Sequence, residues 1–70
     1  MKTITALDSR LADALNDWAD GGLFSLRATT DAAGITTGRA TFDDGGRIAF
    51  TVRVPLSAVT DADLDITVID

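Results

Sequence analysis

Residues 11–30 read LADALNDWADGGLFSLRATT, and within that stretch the spacing of apolar side chains changes from a helical to a strand period. Leu11, Ala14, Leu15 and Trp18 fall three and four apart, as one face of a helix requires. Phe24, Leu26 and Ala28 then alternate with Ser25, Arg27 and Thr29, which sorts them onto opposite faces of a strand. Between the two, Gly21-Gly22 supplies the positive φ that a left-handed helix cap needs. An amphipathic helix followed directly by a half-apolar strand must bury one face against the other. That order decides the fold class.

Towards the N-terminus, Ile4 and Leu7 continue the apolar stripe. The spacing therefore predicts a helix from about Thr5 to Asp20, with Thr3 or Thr5 as N-cap and Asp8 near the positive end of its dipole. Towards the C-terminus, a first strand runs from Leu23 to Thr30, and Asp31-Ala-Ala-Gly34 has the chemistry of a short hairpin turn. A second strand follows from Ile35 to Phe42, with Gly38, Ala40 and Phe42 on one face, and Asp43-Asp44-Gly45-Gly46 forms the next turn. In the third strand Ile48, Phe50, Val52 and Val54 point inward and Arg47, Ala49, Thr51 and Arg53 outward, until Pro55 stops it. Leu56 to Asp63 reads as a loop or one helical turn, and Leu64 to Ile69 as a last strand beside either the third or the first. The predicted fold is α+β: one N-terminal amphipathic helix packed on one face of a four-stranded antiparallel sheet, α-β-β-β-β, as a single small domain over residues 1–70. Its core would join Leu7, Leu11, Leu15 and Trp18 to Phe24, Leu26, Phe42, Phe50 and Val52.

Composition then narrows the function. All 11 acidic residues are Asp, and Glu, Gln, His, Cys and Tyr do not occur in the sequence. Without Cys there is no disulfide, and without His or Cys no plausible structural zinc site. A chain of 70 residues buries only about 60% of its unfolded surface, so helix–sheet packing or association must supply its stability. The net charge of −5 disfavours non-specific attraction to nucleic acid or anionic lipid. Asp8, Arg10 and Asp13 break up any secretory leader, and no apolar run approaches a membrane span. The expectation is a soluble, cytoplasmic protein without membrane association.

Catalytic motifs fail one by one. The phosphate-binding and dinucleotide-binding glycine patterns are missing, Ser9, Ser25 and Ser57 have no histidine base, and Lys2 is the one lysine. Asp61-Ala-Asp63-Leu-Asp65 opens like a calcium loop, but Ile66 stands where that loop needs glycine. It reads instead as a turn entering the last strand. The expectation is no enzyme, no cofactor and no metal site.

The charges that remain are organised. Asp13, Asp17 and Asp20 share the outward helix face, and the 5–20 helix puts all three in its last two turns, at the negative end of the dipole. Chain reversal brings the Asp43-Asp44 turn back to that end, and Asp70 too if the last strand is antiparallel to the third, while Asp8, Asp31, Asp61 and Asp63 collect at the other. Arg27, Arg39, Arg47 and Arg53 fall among threonines on the outward sheet face, where no interleaved aromatic offers base stacking. Direct nucleic-acid binding is therefore not expected.

Asp13, Asp17, Asp20, Asp43 and Asp44 are the candidate partner-binding residues, facing an Arg/Lys-rich surface of a protein partner. In size, charge and lack of catalytic equipment the chain resembles phage-encoded inhibitors of the anti-CRISPR and anti-restriction DNA-mimic kind. That resemblance rests on no shared motif and assigns no residue roles. It implies a stoichiometric inhibitor occupying a nucleic-acid-binding surface. A second reading is a structural or homodimerising module that uses the edge strand Leu64–Ile69 or the Arg/Thr face. Read structurally, the Asp face is a solvated surface, and an Asp-rich, Lys-poor chain also suits high salt, though salt does not explain the lack of Glu.

Overall fold

Ser9, rather than Thr3 or Thr5, starts the helix. Its Oγ accepts the Ala12 N–H at 3.1 Å, satisfying one of the donors that a helix N-terminus leaves without an intrahelical partner. Helix α1 then spans Arg10–Ala19 in the computed structural model, which describes residues 2–5 and 9–69. The expected start near Thr5 fails because the backbone is still extended at Ser9, at φ −97° and ψ 166°, and upstream of it Lys2–Ile4 forms a short strand, β1. Leu7 and Asp8, expected in the core and at the dipole, lie outside the described residues.

The sheet continues with β2 (Leu23–Thr30), β3 (Thr36–Phe42), β4 (Arg47–Val52) and β5 (Leu64–Val68). All neighbours are antiparallel and the spatial order follows the chain, β1-β2-β3-β4-β5. The last strand therefore lies beside the third long strand. The α+β arrangement of one helix on an antiparallel sheet stands, with β1 as an extra edge. Consecutive antiparallel pairing is the outcome that tight turns favour.

Both hairpins of the meander, β2–β3 and β3–β4, are built alike. Asp31 N–H donates to Ile35 O and Gly34 N–H to Asp31 O, with Gly34 at φ 84°. One oxygen of the Asp31 carboxylate also accepts the Ala33 and Ile35 N–H groups at 2.9 and 3.0 Å, so this aspartate closes its own turn.

The core lies between α1 and the sheet. Leu11 and Leu15 meet Leu26, Ala28, Ala40, Phe42, Ile48, Phe50 and Val52 in one buried cluster. Thr36 is wholly buried beside them, and its hydroxyl lies 2.7 Å from that of Thr30, which satisfies both without breaking the strand. Leu56–Ala58 and Asp61–Asp63 are two short 3-10 turns packed on α1, and Arg10 Nε donates to the Val59 carbonyl at 3.2 Å. The second turn is closed by Asp63, which accepts from the Thr60 N–H and hydroxyl at 2.9 and 3.0 Å. It leads straight into β5, the role expected of Asp61–Asp65.

Two expected core residues are not buried. Trp18 keeps 42% of its exposure, because α1 packs on β2 and the 3-10 turns and its last turn falls at the margin. Phe24 keeps 65%. The β2–β3 register shifts between Leu23 and Ser25, so Leu23 pairs with Phe42 and packs on the core, leaving Phe24 as the extra, extruded residue. Strict alternation predicts the opposite choice.

Candidate functional site

Asn16 organises the C-terminal end of α1. Its carbonyl accepts the N–H groups of Asp20 and Gly21, the latter at 2.7 Å, and its Oδ1 accepts the Leu23 N–H at 3.1 Å. Asp20, Gly21 and Gly22 have φ of 61°, 96° and 86° in succession. The two glycines adopt that conformation without steric cost, whereas Asp20 does not. The expected glycine cap is thus one residue longer, and its first member carries a side chain.

The β3–β4 turn meets this cap. Gly45 N–H donates to Phe42 O and Phe42 N–H to Gly46 O, both at 2.9 Å, with Gly45 at φ 88°; this is a tight turn with a glycine bulge. Asp44 Oδ1 accepts the Gly46 N–H at 2.8 Å, which holds that carboxylate beside its own backbone. Asp43 N–H donates to the Gly22 carbonyl at 2.8 Å. One backbone hydrogen bond therefore joins two turns that are remote in sequence.

An open groove of about 520 Å³ forms where they join. Trp18, Phe42, Ile48 and Val68 supply its apolar lining. The Trp18 and Phe42 ring centroids are 6.3 Å apart at 42°, a favourable tilted contact. Exposed Asp20, Asp43 and Asp44 supply carboxylates, and Arg47 is the single basic residue lining it. Such a site can take an apolar side chain while its carboxylates accept charge-assisted hydrogen bonds from a neighbouring cation. An indole face also attracts a cation laid upon it.

Three of the five candidate aspartates, Asp20, Asp43 and Asp44, are thus brought together. Asp17 is exposed in the last turn of α1 and does not line the groove. Asp13 is corrected: because α1 starts at Arg10, it lies in the first turn, where the dipole favours a carboxylate. Asp70 lies outside the described residues. The residues missed by sequence reasoning are the apolar ones. Trp18 directly before Ala-Asp-Gly-Gly was the available signal, since a helix about to end has little sheet left beneath it.

The opposite sheet face carries the expected arginines. Arg27 is directly across from Arg39, and Thr29, Thr37 and Thr51 form a row across three strands. Opposed like charges weaken local pairing. Arg53 reaches Asp65 at 3.3 Å, with both side chains well exposed, an ion pair worth at most about 1 kcal/mol. Along β3 and β4 this face presents no aromatic residue.

No helix among the described residues is long and apolar enough to cross a membrane. No family model, curated protein or solved structure matches the chain.

Proposed function

We propose that this protein is a non-enzymatic binding module whose acidic end engages a basic surface of a protein partner. The observation that carries the reading is the convergence of Asp20, Asp43 and Asp44 on a groove walled by half-exposed Trp18. A solubilising surface needs dispersed charge. It has no use for carboxylates gathered around an exposed indole. In its most specific form the module is a stoichiometric inhibitor that occupies a nucleic-acid-binding surface, its aspartates pairing with the arginines and lysines meant for phosphate. Trp18 adds an apolar anchor that a purely phosphate-like array lacks, so the partner offers a basic patch around at least one apolar side chain.

Selection from a random displayed-peptide library tests this directly, because the library samples basic and non-basic sequences alike. The expected winners pair an apolar residue with flanking Arg or Lys. They should change the emission of Trp18, the sole tryptophan, saturably. Binding should weaken as salt rises and drop by about 100-fold or more in Asp20→Asn/Asp43→Asn, since each of the two charge-assisted bonds lost is worth roughly 1.5–3 kcal/mol. Asp13→Asn/Asp17→Asn should leave it within a few-fold. Winners without basic residues, or equal losses in the two double variants, would refute the groove as the binding site.

A further inference from the structure

We infer that β5 pairs antiparallel with β5 of a second copy of this chain, about a two-fold axis through Ile66, so that two sheets become one. The two edges of the sheet are unlike. β1 is only three residues long, which blunts an edge. β5 is five residues long, Leu64–Val68, with no lysine, proline or bulge, and its one charge, Asp65, is already paired with Arg53. Such an edge is a template for another strand.

The hydrogen-bond pattern says which groups are offered. Ile69 N–H donates to Arg47 O at 2.9 Å, and Val68 lies opposite Ile48. Alternation along an antiparallel ladder then turns the backbone groups of Asp65 and Thr67 towards β4, and those of Leu64, Ile66 and Val68 towards the open side. Leu64 N–H is already given to the Asp61 carbonyl in the 3-10 turn. With no other strand beside β5 among the described residues, the open side offers the N–H groups of Ile66 and Val68 and the carbonyls of Leu64, Ile66 and Val68.

That set is self-complementary. With Ile66 facing Ile66, each Ile66 N–H meets the other copy's Ile66 carbonyl, and each Val68 N–H meets the other copy's Leu64 carbonyl. Four bonds form, and the occupied Leu64 N–H is not required. On the helix-covered side of the sheet the same register sets Ile66 against Ile66 and Val68 against Leu64. This covers Val68, whose side chain is 65% exposed in the single chain. On the other side Asp65 faces Thr67, so no like charges are directly opposed. Moving the register by two residues either opposes Asp65 to Asp65 or carries Leu64 past the end of the second strand. An edge pair of this length lies at the small end of specific interfaces, which makes the dimer weak and reversible.

Sedimentation of the full chain at about 10 µM to 1 mM tests this, a range matched to weak association. The mass should rise from 7.3 kDa towards twice that value. Val68→Pro removes an N–H on the open side without touching the β4 ladder, and should hold the mass at 7.3 kDa with its circular dichroism retained. Hydrogen-bonded antiparallel partners sit about 5.5 Å apart, within disulfide reach. Ile66→Cys should thus yield a covalent dimer under mild oxidation, whereas Thr67→Cys, lying diagonally, should not. If Val68→Pro fails to fold, the cysteine pair decides alone. A wild-type mass unchanged at the highest concentration, a folded Val68→Pro that still dimerises, or Thr67→Cys cross-linking as fast as Ile66→Cys would each overturn the proposal. Val68 also lines the groove, so the dimer covers one edge of it, but no groove ligand is present in any arm and the mass and cross-linking are read without the groove being occupied.

Discussion

Asp20 is the position where stability and binding should pull in opposite directions. It holds φ 61° and ψ 37° at the end of α1, a left-handed conformation that costs an ordinary L-residue roughly 1–2 kcal/mol and an aspartate somewhat less. Its carboxylate also sits at the negative end of the helix dipole, where a negative charge is unfavourable by about 0.3–1 kcal/mol. Asp20→Asn removes the charge and keeps a residue that tolerates the conformation, so only the dipole contribution is recovered. Asp20→Gly removes both penalties, although glycine's freer unfolded chain offsets part of the gain. The expected sum for Asp20→Gly is about 1 kcal/mol of stabilisation, or an increase in Tm of about 4–8 °C in a domain of this size. Asp20→Asn should fall between it and the wild type. Both variants should bind a basic peptide about tenfold or more weakly, through loss of one charge-assisted bond. Thermal melting followed by circular dichroism and a titration read on Trp18 emission measure the two effects on the same samples. If neither variant melts above the wild type, the account of Asp20 as a strained, misplaced charge is wrong. If both melt higher but bind as before, Asp20 takes no part in recognition.

Two further substitutions probe the scaffold that holds the groove. Leu11, 1% exposed on the buried face of α1, should cost about 2–5 kcal/mol when replaced by alanine; an unchanged denaturation midpoint would contradict the core assignment. Gly38→Ala should be destabilising by about 1–3 kcal/mol, the usual range for overpacking. A Cβ there would run into the Arg27 carbonyl and lie 2.7 Å from Ala28 Cα, so β2 and β3 would have to separate; urea denaturation with an undiminished midpoint would show that the strands adapt freely.

Much of this protein was legible in its sequence because the deciding physics is local. A period of 3.6 before Gly21 and of 2 after it is a property of neighbouring residues, and it yields one helix and a meander without tertiary information. The turn at Asp31 was legible for the same reason, since the side chain that makes it sits within the turn. The gathering of Asp20 with Asp43 and Asp44 followed from chain direction alone. What lay beyond sequence was every choice between two locally acceptable options. Lys2–Ile4 could continue a helical stripe or pair with Ala28–Thr30, and only the presence of β2's edge decides for the strand. Leu23 and Phe24 are both apolar, and which one turns inward depends on the pairing of Leu23 with Phe42. Trp18 belongs to the apolar face of α1 by angle, yet burial depends on what lies beneath, and there the helix reaches the margin of its packing. The same limit moved Asp13 from the end of the helix to its beginning, since a dipole's sign at a residue depends on where the helix starts. Periodicity says which way a side chain points; only the packed neighbours decide whether anything is there to meet it.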